Sequence, residues 1–132
     1  YKMVEKHLKP FGAMVTQSTS PLYSPEAFLC IKQTMQAAGF SILPYQNSVP
    51  SMGQWGWQLG VRQKAMSTDL LKQKLTMSKF SDIETRFFNQ DAMISMVHFG
   101  KGLFEKEGEI EPNTQFNHNI LKYYRQGSWD LY

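Results

Sequence analysis

The chain has 132 residues, 42% hydrophobic and 19% charged, with 14 Lys and Arg against 11 Asp and Glu. That length suffices for one domain with its own core, and a mild net charge of +3, scattered rather than clustered, argues against a nucleic-acid partner. A single cysteine, Cys30, excludes an internal disulfide framework and fits a reducing compartment, and no apolar run approaches the roughly 20 residues of a membrane helix.

The chain opens at Tyr1 without an initiator Met. The spacing of Tyr1, Val4 and Leu8, with Lys2, Lys6 and Lys9 between them, reads as part of an amphipathic helix. Pro10 and Gly12 turn the chain into Ala13–Gln17, whose apolar run predicts a buried strand. Ser24 as N-cap, Pro25 at the first helical position and Glu26 in the first turn predict a helix to about Ala38. Phe28, Ile31, Met35 and Ala38 share one face of it, and Gly39 supplies the stop.

Phe40 to Val49 predicts a strand interrupted near Pro44, a residue that places it at a sheet edge or at a bulge. Residues 50–53 form a turn. Trp55 to Val61 alternates large and small side chains and reads as a strand antiparallel to its predecessor, because the connection is too short for a parallel crossover. Residues 10–61 carry only Glu26 and Lys32 as charges, which suggests strands covered on both faces. Beyond Arg62, Thr68 to Leu75 predicts a helix capped by Ser67 or Thr68. Residues 85–91 read as a loop leading into a helix, 92–99 as strand or helix, 105–119 as a surface loop, and 119–124 as a short helix.

The chemistry-bearing residues are few. His7, His98 and His118 are isolated, so no metal ligand set is expected. Cys30 falls inside a helical pattern and reads as a buried thiol. Gly53, Gly56 and Gly60 follow a turn and enter a strand, so they do not cradle phosphate at a helix N-terminus. Gln17 is different: it closes an apolar strand, and ligands of open α/β sheets bind beyond the carboxyl ends of strands. A neutral amide there orients an amine or a carboxylate, or it merely braces the loop from Ser18. Tyr23, Tyr45, Trp55 and Trp57 could wall an alkyl-ammonium pocket through cation–π contact, against the plainer reading of sheet packing. Glu26 is the sole acid in this block, so carboxylates for such an amine would come from elsewhere.

Three ordered stretches resemble the spermidine synthase family. The run Lys9-Pro10-Phe11-Gly12-Ala13-Met14-Val15-Thr16-Gln17 is similar to its strand "L-x-P-x-G-x-x-x-x-Q". Val49-Pro50-Ser51 with Gly53-Gln54-Trp55-Gly56-Trp57 resembles its hairpin "I-P-[ST]-Y-P-x-G-x-[WI]-G-[FW]", and Arg86-Phe87-Phe88-Asn89-Gln90-Asp91 its "[RK]-Y-Y-N-x-[DE]". The tail through Gln115 and Arg125 is similar to that of bacterial forms fused to an N-terminal membrane region.

The resemblance implies an α/β fold, the C-terminal portion of a Rossmann-like, methyltransferase-type sheet with an antiparallel last hairpin. Residues 1–104 would be the C-terminal part of the catalytic domain and 105–132 an extension. It implies a parent that transfers an aminopropyl group from decarboxylated S-adenosylmethionine, its co-substrate, to a polyamine. The catalytic acids and the nucleoside loop are expected upstream of Tyr1, so the chain alone is expected to hold no cofactor and to be inactive. Substrate-binding residues would be Gln17, Pro50, Met52 and Trp55, with Met52 nearest the place of the family's amine-contacting hairpin tyrosine; a less polar pocket, favouring a longer or more apolar amine than putrescine, is expected. A homo-oligomer in the cytoplasm is expected, with a parent anchored at the inner membrane. An S-adenosylmethionine-dependent methyltransferase-like domain and a non-catalytic, dimer-forming interaction domain stay open beside this reading, because one fold hosts many functions.

Overall fold

The structure, a computed structural model, describes residues 1–131. Helix Lys2–His7 (α1) precedes strand Ala13–Gln17 (β1), and helix Pro25–Ala37 (α2) connects it to strand Phe40–Val49 (β2). A tight turn leads into strand Gly53–Arg62 (β3), followed by helices Thr68–Thr76 (α3), Gln90–Met96 (α4) and Asn119–Arg125 (α5). The three strands form one sheet in the order β1-β3-β2, and β3 is antiparallel to both neighbours. β1 and β2 therefore point the same way, and α2 is the crossover between them.

The register sorts side chains by face. Ile42 stands opposite Gly60 and Gln46 opposite Gly56, on the face against which α2 packs. The glycines are there for close approach: a Cβ at Gly56 would lie 2.5 Å from the Phe28 ring, and one at Gly60 would lie 3.0 Å from the Met35 methyl. Met35, Phe40 and Ile42 are buried here, each stabilising the fold by about 1.5–3 kcal/mol. Ala27, Phe28, Leu29 and Cys30 form a second cluster of α2 with Ile110 and with Tyr123 of α5. On the opposite face of the sheet, Leu43 and Val61 pack with Leu71 of α3, Met93 of α4 and Val97. Helices thus cover both faces, as the charge-poor composition of residues 10–61 implies.

Several expectations need correction. The strand Ala13–Gln17 forms with the expected bounds, but it is not buried: it is an edge strand, alternately exposed and half-buried, with Val15 52% exposed. β2 runs unbroken through Pro44, which an edge strand tolerates because an outward-facing position needs no N–H donor. Ser24 is the N-cap residue of α2 but makes no side-chain cap; its hydroxyl donates to Tyr123 O at 3.5 Å instead. Residues 92–99 resolve as helix up to Met96, because the Asn89 side chain accepts from Ala92 N at 2.8 Å and caps α4. The stretch 105–119 is not all surface loop: Glu107–Glu109 is a 3-10 turn, and Ile110 and Asn119 are buried.

Candidate functional site

The carboxyl ends of β1 and β2 lie at one end of the sheet, beside the turn that joins β2 to β3. Gln17 ends β1 with its side chain exposed and is the register partner of Trp57; Trp57 in turn is the partner of Tyr45. Residues opposed in antiparallel register point to the same side, so Gln17, Trp57 and Tyr45 make a row across one face. The two rings are stacked, 5.5 Å between centroids and 14° between planes. Burial pushes the Tyr45 phenol above its usual range, so it stays a neutral hydroxyl at physiological pH. Trp55 lies two residues nearer the turn on the same face, half-buried, and its Nε1 has no hydrogen-bond partner among the described residues.

Pro50 and Met52 are exposed at the turn, which the bond from Met52 N to Val49 O closes at 2.9 Å. Gly53, the first residue of β3, is four residues along the strand from Trp57, a rise of roughly 13 Å. The structure therefore groups Gln17 with Trp57, Tyr45 and Trp55, while Pro50 and Met52 stand apart at the tip. Tyr23 follows the plainer reading of packing and stands outside this row. Its hydroxyl lies 3.3 Å from where a Cβ of Gly53 would be, and its ring faces Trp129 at 6.3 Å. Gly53 has φ +67°, a conformation that also favours glycine.

Beyond Gln17 the chain turns inward. Ser18, Thr19 and Ser20 are buried. Ser18 N donates to Gly56 O at 2.9 Å, and Gly56 N donates to Thr19 O at 2.8 Å. The Ser20 hydroxyl accepts from Leu22 N and Tyr23 N, at 3.2 and 3.1 Å, and so closes the following turn. The end of the chain clasps this loop: Ser128 N donates to Tyr23 O at 2.7 Å, and Trp129 donates its indole N–H to Tyr124 O at 2.8 Å.

On the other face of the sheet, at the same end, a groove of about 400 Å³ runs between the start of α2 and the segment 99–106. Glu26, Gln46, Gln54, Lys101 and Lys106 line it over a floor that includes Leu29 and Phe99. Gln54 donates to the Gln46 amide oxygen, and Gln46 donates to His98 O at 2.7 Å, so the two amides are held in one chain. Sequence reasoning missed this amide pair; the signal available was one glutamine on each arm of the hairpin in a block nearly free of charge. Glu26, the sole acid of that block, is here and not beside Gln17.

Cys30 is fully buried, and desolvation raises its thiol above the ordinary range despite bonds from Thr34 and Asn113, so it is no nucleophile. Among the described residues no group of three or more His, Cys, Asp or Glu side chains could hold a metal ion, and no helix is long and apolar enough to cross a membrane.

Residues 1–72 match the family described as the spermine/spermidine synthase domain, more than half of the chain. The chain belongs to the spermine/spermidine synthase family. Similar curated proteins are polyamine aminopropyltransferases. Polyamine aminopropyltransferase 2 of Ralstonia nicotianae is 27% identical over 126 residues, 96% of this chain and 23% of that protein. The Oceanobacillus iheyensis polyamine aminopropyltransferase is 27% identical over 134 residues, all of this chain and 24% of that protein. The Mycobacterium tuberculosis protein is 31% identical over 130 residues, 98% of this chain and 23% of that protein. The chain thus spans about a quarter of the length of the curated relatives it matches. Its small antiparallel sheet covered by helices makes it an α/β chain, as the family resemblance implies.

Proposed function

We propose that this chain is the amine-side, C-terminal part of a polyamine aminopropyltransferase. The observation that carries the reading is the row of Gln17, Trp57 and Tyr45 at the carboxyl end of β1, where open α/β sheets bind ligands. The carboxamide oxygen of Gln17 is a neutral acceptor for a primary ammonium, and the adjoining ring faces suit the alkyl chain and its charge. Residues 1–104 would complete the catalytic domain and 105–132 would be an extension that braces it.

In this reading β1, β3 and β2 are the last strands of a Rossmann-like, methyltransferase-type sheet. Two parallel strands joined by a crossover helix, with an antiparallel strand between them, support it. The free edge of β1 is then where the sheet continues in the longer polypeptide. That remainder supplies the loop for decarboxylated S-adenosylmethionine and the carboxylate base. The amine nitrogen attacks the methylene beside the sulfonium, the carbon–sulfur bond breaks to leave a neutral thioether, and the base takes the amine proton. Gln17 orients the nitrogen without adding a full charge beside that base. Trp55 extends the row, and Pro50 and Met52 belong to the entrance: Met52, 38% exposed, presents an apolar side chain there, which favours a longer or more apolar amine than putrescine. A homo-oligomer is proposed for the longer polypeptide through surfaces other than the β1 edge, which the continuing sheet covers.

The test is Gln17→Ala in the full-length protein, with the amine varied and melting temperature measured in parallel. Loss of one hydrogen bond to a charged group, about 1.5–3 kcal/mol, should lower kcat/KM for the amine by roughly one to two powers of ten, with melting unchanged because Gln17 is exposed. Unchanged efficiency with a lowered melting temperature would mean that Gln17 only braces its loop.

A further inference from the structure

The groove between the start of α2 and the segment 99–106 is on the face of the sheet turned away from the row of Gln17, Trp57 and Tyr45, and the proposed reaction makes no use of it. Its strand residues, Gln46 and Gln54, come from β2 and β3 and not from β1, whose free edge the continuing sheet would cover. Its volume of about 400 Å³ is within the roughly 300–1,000 Å³ common to small-molecule sites, which join an apolar lining to a few convergent polar groups. Leu29 and Phe99 are apolar lining; Glu26, Lys101, Lys106 and the two amides are the polar groups.

The segment 99–106 is pinned at both ends. At one end His98 O accepts from Gln46 at 2.7 Å, and the Phe99 ring lies 5.8 Å from that of Phe28. At the other, Lys32 pairs with Glu107 and sits over the Phe104 ring at 5.3 Å, and Gln33 donates to Glu107 O at 3.3 Å. Between these anchors runs Gly100-Lys101-Gly102. Gly102 has φ +94°, and a Cβ at either glycine would meet nothing within 4 Å. The span that carries Lys101 is therefore unpacked while its ends are fixed.

Charge is sorted by wall. Glu26 is on α2, and Lys101 and Lys106 are on the facing segment. Among the described residues the ion pairs are Lys32–Glu107 and Arg62–Glu5, and the three groove side chains make neither ion pair nor hydrogen bond. They face one another across the groove without closing it. One wall thus accepts a cation and the other an anion. The amides add direction: Gln54 donates to Gln46, and Gln46 donates to His98 O, so the Gln54 amide oxygen is the open, accepting end of that chain.

We propose that this groove is a second small-molecule site, for a zwitterion with an ammonium at one end, a carboxylate at the other and an apolar chain between. The ammonium pairs with Glu26 and the Gln54 oxygen, the carboxylate with Lys101 and Lys106, and the chain lies on Leu29 and Phe99. A polyamine has no anionic end and would meet two lysines, so it is disfavoured here. The site stands whether or not the aminopropyltransferase reading holds, because none of its residues belongs to the Gln17 row.

The experiment is calorimetric titration of the full-length protein at low salt with three probes of matched chain: ε-aminocaproate, caproate and hexylamine. Partly exposed ion pairs are individually weak, so we expect ε-aminocaproate to bind about fivefold tighter than either single-ended probe. Glu26→Gln should bring its Kd to the level of caproate, and Lys101→Met with Lys106→Met to the level of hexylamine, with melting temperatures near that of the unsubstituted protein. Gln17→Ala should leave its Kd unchanged. Four results would overturn the proposal: no saturable binding of ε-aminocaproate; caproate binding as tightly, which would mark a plain anion site; hexylamine binding as tightly, which would mark a plain amine site; or loss of binding in Gln17→Ala, which would place the probe in the row on the other face.

Discussion

Gly56→Ala is the most direct test of how the sheet holds its site. An added Cβ would lie 2.5 and 2.8 Å from two carbons of the Phe28 ring and 3.1 Å from Pro21 Cδ. Phe28 is fully buried among Ala27, Leu29 and Cys30, so the ring has little room to withdraw. Overpacking of this kind costs about 1–3 kcal/mol, and the close distances put this site at the upper end. Against that, alanine loses less freedom than glycine on folding, a gain of about 0.4–1 kcal/mol where the backbone suits it. Gly56 is not among the positive-φ glycines, so that gain applies. The net loss is about 2 kcal/mol, or a fall in melting temperature of roughly 6–10 °C for a chain of this size. Thermal unfolding followed by far-UV circular dichroism measures it, with Gly108→Ala as control, because a Cβ there meets nothing within 4 Å. Adding Phe28→Leu to Gly56→Ala should recover part of the loss, a coupling of about 1 kcal/mol. If Gly56→Ala melts with the unsubstituted chain, the close-approach reason for this glycine is wrong.

Two further outcomes follow from contacts already described. Trp129→Ala removes the ring contacts to Tyr23 and Tyr124 and the bond to Tyr124 O, so limited proteolysis should cut after residue 125 much sooner while the sheet stays intact; equal protection would refute the clasp. Cys30 has a thiol raised by burial, so the fold favours its neutral form: that stability is full below the ordinary thiol range and is lost as pH rises through the raised value. Iodoacetamide at mildly alkaline pH should leave it unmodified in the folded chain and label it on unfolding, as mass spectrometry would detect; rapid labelling of folded protein would contradict its burial.

The elements between Gly12 and Arg62 were legible in the sequence because their signals are local. Pro25 after Ser24 starts α2, Gly39 ends it, and the alternation of Trp55 to Val61 marks β3. The exposure of β1 was not legible, because Ala-Met-Val reads the same on an edge strand as on a central one, and only the strand order separates the two. Ile110 and Tyr123 were masked by polar neighbours, since their burial depends on α2 more than 70 residues earlier. Of the candidate site, Gln17 was legible from its place at the end of an apolar run. Its grouping with Trp57 and Tyr45 required the register. Met52 and Pro50 followed from motif likeness, and the register puts them at the tip of the turn rather than in that row.

The bond from Ser128 to Tyr23 has a consequence for the order of folding. It joins positions more than 100 residues apart, and contacts so distant in sequence form late, because a long loop must close before they contribute. The sheet and α2 can assemble from local and medium-range pairs as soon as Arg62 has emerged from the ribosome. The bond at Tyr23 O must wait until residue 128 has been made. During that interval the bonds of Ser18 and Thr19 to Gly56 and those of Ser20 hold the turn, and the bond from Ser128 N to Tyr23 O is still to form. A protein arranged in this way sets its row of Gln17, Trp57 and Tyr45 with the sheet and closes the clasp over the following loop last.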